Sequence, residues 1–379
     1  MNRLALLTGL AVTVFASQAI WVTFSPASSE VARELGVSKE RVGLLALTYP
    51  ALFLALTIPS GVLLDRNFRL WLAFGVIATS LSGTLRLMAP YSYLWLLACQ
   101  LLGALGQPFL LNSFAPFASR VFPEKRGQAV AALSFAMYLG IIYALGTGYW
   151  IYTRLGLLWL ITPIAIASLS GAILFLSSMK NLPLVRMGGE SFLAELRLVA
   201  SYRELWLLGV ILGLGVALFD NMSIWLEPAL STVGMSDIAG LSVALALLLG
   251  LLGVAVIPGK IAAMGRRTLY IRIVSATAIL VFLTLSLWTE RLSIITLIPL
   301  LGLVMLPAYP IIMEWISTFY PKEIHGAASG FIGFVSRIFT VVLASIAVVF
   351  IDSPTSYFAF LSTLSALALL TAMMLAPDK

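Results

Sequence analysis

Three ionisable side chains stand inside long apolar runs of the sequence: Asp220, Glu314 and Arg337. A charged group in apolar surroundings usually faces a cavity or a partner, because burying it alone is costly. Arg337 suits a carboxylate or phosphate, whereas Asp220 suits a cation, or a proton if it has no partner. We expect Glu314 within reach of Arg337, where it either closes an internal salt bridge that holds a gate or takes part in proton coupling.

Three further side chains are candidates for binding a small molecule beside them: Trp21, Gln107 and Tyr138. Trp21 precedes Asp220 by 199 positions and Tyr138 precedes Arg337 by 199, so a repeat of that length makes two equivalent pairs. An indole face attracts an organic cation by roughly 0.5–2 kcal/mol. Plainer interpretations stay open, since Trp21 suits an aromatic belt at a membrane surface and Gln107 suits repair of the hydrogen bond that Pro108 removes.

Other residues in the apolar runs are predicted to have structural roles. Arg86 falls near the end of its run, from which its long side chain should reach water. Glu227 precedes Pro228 at the end of another run and is expected at an interface. Close helix packing is expected at three glycine pairs: Gly103 with Gly106, Gly209 with Gly213, and Gly330 with Gly333.

The sequence predicts neither an enzyme nor a bound cofactor or metal. No paired carboxylates, Ser/His/Asp set or Cys/His cluster occurs at catalytic spacing, and Cys99 and His325 are the sole residues of their types. The nearest approach to a phosphate loop, Gly253 to Ile261, has the wrong spacing and lacks a Ser or Thr after Lys260. A driving force must therefore come from a gradient of substrate or of a coupled proton or ion.

Membrane-spanning helices are the elements that must position these residues. Apolar residues make up 61% of the 379 residues and charged residues 10%, with a mean hydropathy of +1.04. Because a spanning helix needs about 20 mainly apolar residues, the lipid bilayer is the expected partner of twelve segments. The predicted segments are 4–24, 41–64, 70–89, 94–119, 127–150, 155–179, 204–226, 237–258, 268–288, 294–319, 327–350 and 355–376.

The two halves of the chain repeat each other. Four residues have a counterpart 198–199 positions later: Pro59, Pro108, Pro123 and Gly127 correspond to Pro258, Pro307, Pro321 and Gly326. We predict an all-α membrane protein with two pseudo-symmetric six-helix bundles, 1–179 and 204–379, joined by a cytoplasmic linker, 180–203, with an amphipathic stretch for the membrane surface. Secondary transporters have this organisation, with a substrate site between the halves that opens to either side.

The distribution of Lys and Arg predicts the orientation. With the N-terminus inside, sixteen of these residues fall in cytoplasmic connections and ends and five in external connections. Both termini are therefore predicted to be cytoplasmic, in a multi-pass protein of the cell membrane. The net charge of +7 follows from this topology, so we do not expect nucleic acid as a partner.

The segment Gly61 to Arg69, GVLLDRNFR, resembles the signature loop G-x-L-x-D-R-x-G-R of the major facilitator superfamily. Phe68 replaces a glycine of that pattern, a departure expected to weaken the tight turn. The second-half copy, Gly259 to Arg267, keeps the Gly-Arg step and loses the Asp. With twelve helices and a repeat of six, the resemblance covers the whole chain and implies the major facilitator fold.

The resemblance also implies gating residues. In this superfamily the loop Asp pairs with a basic residue at the inner end of the fourth helix, and Asp65 and Arg120 stand at matching positions. Arg66 belongs to the same loop. Arg120 also suits a simpler role, in which it anchors its helix at the lipid head groups.

A finer resemblance joins three short segments to the feline leukaemia virus subgroup C receptor branch: Ala19–Ser25, Gly103–Phe109, and Tyr320-Pro321 with Gly326–Gly330. Members of that branch carry choline and ethanolamine and have been linked to haem. They hold the ammonium against an aromatic residue of the first helix with a Gln of the fourth, which implies roles for Trp21 and Gln107. The second half departs from the branch, because Asp220 replaces a Tyr and Arg337 replaces a Gln.

Two transport hypotheses follow. The first is an alternating-access transporter, a monomer by default, for a small polar or organic-cation metabolite that is choline-like by resemblance. The second is a proton-coupled transporter or exporter of organic anions, zwitterions or drugs that uses Asp220, Glu314 and Arg337. A receptor or sensor that does not transport would normally carry a soluble domain as well and is less favoured, and a membrane enzyme is less favoured still for want of catalytic residues.

Overall fold

The computed structural model describes residues 3–182, 198–321 and 324–376, and the regular structure within these ranges is helical, without strands. Twelve helical stretches there are long and apolar enough to cross a membrane. This confirms the predicted all-α membrane fold. The chain divides into two compact units, Met1–Gly189 and Glu190–Lys379. Most of the predicted linker, including nearly all of its amphipathic stretch, lies outside the described residues.

The described part of unit 1 contains eight α-helices: α1 (Arg3–Trp21), α2 (Ser28–Leu35), α3 (Lys39–Arg66), α4 (Phe68–Leu85), α5 (Tyr93–Leu111), α6 (Phe114–Val121), α7 (Arg126–Leu155) and α8 (Leu157–Ser178). The first predicted span ends early, at Trp21, and a 3-10 turn, Ser25–Ala27, leads into α2. The predicted span 94–119 is divided between α5 and α6. Asn112 connects this break to α3, because its amide donates to the Thr57 carbonyl at 2.9 Å and to the Ser60 hydroxyl at 2.8 Å.

Unit 2 contains seven described α-helices: α9 (Arg203–Ser231), α10 (Ser236–Ala263), α11 (Arg267–Leu287), α12 (Arg291–Met305), α13 (Ala308–Phe319), α14 (His325–Ala347) and α15 (Pro354–Met373). The predicted span 294–319 is divided between α12 and α13. Pro307 stands at this break, where it has no backbone N–H to continue the helical ladder. Both units therefore end their fourth span with a short separate helix, α6 or α13.

Glycines permit the close approach of several helices. A Cβ added at Gly140 of α7 would overlap the carbonyl oxygen of Phe15 in α1. Tight contacts of 3.0 Å or less also surround the two predicted pairs Gly103 with Gly106 and Gly209 with Gly213. The third predicted pair, Gly330 with Gly333, was wrong, because nothing lies within 4 Å of a Cβ added there.

We expect Gly140→Ala to lower the free energy of unfolding by about 1–3 kcal/mol, because the backbones of α1 and α7 must move apart. Gly127→Ala is the matched control on the same helix, since its Cβ would meet nothing within 4 Å. That control should be neutral or slightly stabilising. Unfolding of both variants in detergent tests the prediction, and equal stabilities would contradict it.

Candidate functional site

An ion pair occupies the interior of unit 2. Arg337 of α14 donates from Nη1 to Oδ2 of Asp220 of α9 at 3.3 Å, and the two side chains are 28% and 3% exposed. The distance exceeds the 2.7–2.9 Å of a strong charge-assisted bond, so the contact is loose. Both charges are nevertheless compensated within one bundle. The sequence left open whether each charge faces a cavity or a partner, and the structure shows that Asp220 and Arg337 are partners.

Two further polar residues of α9 are buried and were not predicted to lie in the core. Asn221 is fully buried and donates to the Ala217 carbonyl at 2.7 Å, while its own Oδ1 has no partner among the described residues. Glu227 is 3% exposed, so it is enclosed by protein, and its expected position at the interface stays a prediction. Its place before Pro228 suggested a helix end, whereas α9 continues through this proline to Ser231.

Glu314 does not pair with Arg337. Its carboxylate accepts two hydrogen bonds from Arg267 at the start of α11: Nε donates to Oε2, and Nη2 donates to Oε1 at 2.7 Å. The Thr318 hydroxyl also donates to Oε1 at 2.7 Å. This geometry favours the internal salt bridge among the two predicted roles of Glu314. Arg267 was missed because it follows the loop residues Gly265 and Arg266, on which the motif comparison rested.

We expect Glu314→Gln to lower the free energy of unfolding by about 1–2 kcal/mol, because a bidentate, partly buried ion pair becomes a hydrogen bond from the guanidinium to a neutral amide. Asp237→Asn is the matched control. Asp237 also pairs with an arginine, Arg291. The side chain of Arg291 is 53% exposed, whereas that of Arg267 is 8% exposed. The control should change stability by less than about 1 kcal/mol, and a larger loss in the control would contradict the role assigned to burial.

The predicted binding residues of unit 1 lie in its interior. Trp21 is 7% exposed, and its indole N–H donates to the Ala46 carbonyl at 3.0 Å, which does not suit a residue of an outer aromatic belt. Gln107 is 6% exposed, and its amide makes no hydrogen bond within the described ranges. Repair of the bond lost at Pro108 is therefore not its role in this conformation. Tyr138 is half-buried on α7.

Arg86 is buried, so the expectation that its side chain reaches water was wrong. It is 1% exposed and lies where α1 ends. Its guanidinium donates to Gln100 Oε1, to the Thr23 hydroxyl at 3.1 Å and to the Ile20 carbonyl at 3.3 Å. Gln100 in turn donates to the carbonyls of Ile20 and Trp21. A cation is favourable at a helix C-terminus, where the last carbonyls lack intrahelical partners.

The signature loop is a single residue, Asn67, between α3 and α4. Its side chain caps α4 by accepting from the backbone N–H of Leu70 at 3.2 Å, and its φ is −149°. No turn here requires a glycine, so Phe68 does not weaken it and instead begins α4. Arg66 and Asp65 are exposed at the end of α3.

Arg120 lies over the ring of Phe68, with 4.2 Å between the guanidinium carbon and the ring centroid. Its Nη1 donates to the Pro116 carbonyl at 3.2 Å. Burial lowers the pKa of the Arg120 guanidinium, and the carboxylate of Asp65 acts in the opposite direction. The pair of Asp65 with Arg120 that the motif implies stays a prediction, and the structure adds an aromatic contact from Phe68.

Twelve spanning helices in two units, with charged and amide groups enclosed among them, are typical of a membrane transporter. The family described as Major Facilitator Superfamily matches residues 10–345. The chain belongs to this superfamily of membrane transporters, which confirms the first resemblance. The resemblance to the feline leukaemia virus receptor branch stays a prediction.

Solved structures share the fold at low sequence identity. The crystal structure of a D-xylose–proton symporter has a TM-score of 0.72 at 16% identity, over 99% of this chain and 98% of that chain. A bacterial homologue of the human lysosomal transporter Spinster, inward-facing and unoccupied, has a TM-score of 0.74 at 14% identity, over 98% and 95%. A mutant of the nucleoside transporter NupG also reaches 0.74, at 13% identity, over 97% and 99%. At these identities the likeness establishes the fold alone.

Proposed function

We propose that this transporter carries a small polar or organic-cation metabolite by alternating access, with a choline-like head group as the first candidate. The observation that carries the proposal is the ion pair of Asp220 with Arg337. Without its carboxylate Arg337 would repel a cation at close range, whereas the paired arginine is compensated. In this proposal the protein is a monomer in the cell membrane, and both of its termini are cytoplasmic.

Unit 1 supplies the recognition groups in this proposal. The hydrogen bond from Trp21 to Ala46 fixes the plane of the indole, so its face is preorganised for an ammonium group. The Gln107 amide, which has no protein partner in the described ranges, is available to a hydroxyl of the substrate. Tyr138 is a third contact, at the position equivalent to Arg337.

Counterflow of labelled choline into proteoliposomes tests the proposal. Trp21→Leu should reduce counterflow at subsaturating choline by about 10-fold, because up to roughly 2 kcal/mol of cation–π attraction is lost. Trp225→Leu is the matched control, since Trp225 is also buried and its indole donates to a backbone carbonyl, that of Ala344, at 2.8 Å. If choline is not accumulated, or both variants fall equally, the choline-like assignment is wrong.

A second candidate function is proton-coupled transport of an organic anion or zwitterion. It is supported by the long contact of 3.3 Å between Asp220 and Arg337, because a carboxylate bound so weakly can release its arginine and bind a proton. Glu314 is less suited to this role than Asp220, since it is bound by Arg267 and Thr318. Under this candidate Asp220→Asn abolishes the response of flux to a proton gradient while counterflow persists. Flux that never depends on the gradient contradicts it.

A further inference from the structure

The first spanning helix ends in unit 1 where its counterpart continues in unit 2. α1 ends at Trp21, and the 3-10 turn Ser25–Ala27 follows it. The equivalent position of unit 2, Asp220, lies inside α9, which continues to Ser231. The last carbonyls of α1 therefore lack the regular intrahelical donors that α9 supplies at the same place.

Polar side chains reach these carbonyls in unit 1, and apolar side chains stand at the equivalent positions of unit 2. The polar residues are Thr23, Arg86 and Gln100. Their counterparts 199 positions later are buried and apolar: Met222, Leu285 and Pro299. The polar set thus occurs in the unit whose helix ends and is replaced in the unit whose helix continues. This pattern connects the set to the helix end and not to the repeat.

The charge of Arg86 is directed at neutral oxygens. Its guanidinium donates to the Ile20 carbonyl, the Thr23 hydroxyl and Gln100 Oε1, and within the described ranges none of its hydrogen bonds goes to a carboxylate. Water cannot compensate the charge, because the residue is buried. The end of a helix carries a partial negative charge on its unsatisfied carbonyls. The end of α1 is therefore the counter-charge of Arg86.

These oxygens are of the kind that binds a free cation. Carbonyls at the end of an interrupted spanning helix coordinate monovalent metal ions in transporters, and carbonyl oxygens can replace the hydration shell of such an ion. The oxygens of Ile20, Thr23 and Gln100 form such a set, which we call the α1-end site. The guanidinium of Arg86 occupies it, delivered from the 3-10 turn Arg86–Met88 that follows α4.

We propose that Arg86 is a built-in cation, which fills the α1-end site in place of a free monovalent cation. The turn that carries Trp21 is then held without any dissolved ion, and Arg86 is a positioning residue for Trp21. The role at Trp21 rests on the proposed function, whereas the cation site itself does not depend on the identity of the substrate.

Arg86→Ala should convert the α1-end site into one that needs a free cation. The measurement is thermal unfolding of the purified variant in mixed micelles, titrated with guanidinium chloride far below denaturing concentrations, with N-methylglucamine chloride keeping the ionic strength constant. Guanidinium should shift the folding equilibrium saturably, by about 11-fold at ten times its dissociation constant. KCl and NaCl are the second probes, and at least one of them should stabilise the same variant. The parent, whose site is filled, should respond less than about 2-fold to each cation.

Three controls separate a cation site from a general effect. Urea has nearly the shape of guanidinium without its charge and should not stabilise Arg86→Ala. Arg86→Met keeps much of the side-chain volume, so it should be destabilised but should respond to guanidinium less than about 2-fold. Leu285→Ala opens equivalent space in unit 2, where α9 continues, and should respond as little.

Removal of one oxygen identifies the ligands of the site. Thr23→Val added to Arg86→Ala keeps the shape of the side chain and deletes the hydroxyl that Arg86 contacts. The half-effective guanidinium concentration should rise about 2- to 10-fold, the contribution of one hydrogen bond.

Counterflow of choline provides the readout of the role at Trp21. Arg86→Ala should depend on KCl or NaCl on both sides of the proteoliposome membrane, whereas the parent should be equally active in N-methylglucamine chloride. No stabilisation of Arg86→Ala by any cation, equal stabilisation by urea, or an equal response of Leu285→Ala would each overturn the built-in cation. So would an Arg86→Ala protein that folds in no cation while Arg86→Met folds. A parent that does not accumulate choline, with the unfolding pattern intact, would reject the substrate and keep the cation site.

Discussion

Asp220→Ala should cost about 3 kcal/mol of stability, because it leaves the guanidinium of Arg337 inside unit 2 without its carboxylate. The loss belongs at the low end of the range for broken buried pairs, since Arg337 is 28% exposed and the contact is 3.3 Å long. Asp220→Asn keeps the shape of the side chain and should cost less. The measurement is equilibrium or thermal unfolding of purified protein in mixed micelles.

The double variant Asp220→Ala with Arg337→Ala decides whether the pair itself is responsible. Removing both charges removes the unpaired buried group, so the double variant should be more stable than Asp220→Ala alone. We expect a coupling energy of about 1–3 kcal/mol between the two positions. Strictly additive losses of stability would mean that Asp220 and Arg337 contribute independently and do not compensate each other's charge in the folded protein. Counterflow of choline by the same variants shows whether the compensation of the Arg337 charge by Asp220 also affects which substrate is carried.

Arg86→Met should be the most damaging substitution in unit 1, with a loss of about 2–4 kcal/mol. Hydrogen bonds that involve a charged group contribute about 1.5–3 kcal/mol, and their loss leaves buried acceptors such as the Ile20 carbonyl with fewer donors. Arg86→Lys should recover little, because an ammonium cannot reach Gln100, Thr23 and Ile20 with the geometry of the planar fork. Unfolding in detergent measures both.

Arg154→Met is the matched control for Arg86. The guanidinium carbon of Arg86 lies 5.4 Å from the ring centroid of Phe24, and that of Arg154 lies 5.3 Å from the ring centroid of Trp150, but Arg154 is exposed. Its replacement should cost less than about 1 kcal/mol. Equal losses of stability in the Arg86 and Arg154 variants would show that the contribution of each arginine to stability depends on its position along the bilayer. Enclosure at the end of α1 would then not explain the effect of Arg86.

The placement of Arg86 has a consequence for Trp21. Arg86 and Gln100 bind the carbonyls at the last turn of α1, the turn that carries Trp21. The indole of Trp21 is held separately by Ala46 of α3. One residue just after α4 and one on α5 therefore fix the end of the helix that presents the proposed binding residue. A loss of counterflow in Arg86→Met with normal yield of folded protein would be consistent with this indirect role.

The membrane fold was within reach of the sequence because the cost of exposing a peptide group to hydrocarbon leaves few solutions. Apolar runs of about 20 residues predict the spanning helices, and the spacing of Pro59, Pro108 and Gly127 from their counterparts predicts the repeat. The boundaries were harder. Residues 94–119 and 294–319 read as continuous spans, since apolar composition continues across the breaks after Leu111 and Met305.

Partner choice among the charged residues was decided by tertiary structure. The sequence identified Asp220, Glu314 and Arg337 as unusual, but an ionisable residue in an apolar run has several possible partners on neighbouring helices. Which one it meets depends on the rotation and depth of each helix. The fold joins Asp220 to Arg337 and gives Glu314 to Arg267, a residue that the sequence presented as one more cytoplasmic charge.

By itself, the sequence determined that the chain lies in a membrane, how many spans it has, that its halves repeat and which superfamily it resembles. These follow from composition and from spacing along the chain. Only the tertiary structure decided that Arg86 is enclosed, that Phe68 lies against Arg120, and that Arg267 is the partner of Glu314. The physical reason is that the free energy of a buried charge depends on which atoms lie within a few ångströms of it. Those atoms come from helices that are distant in sequence.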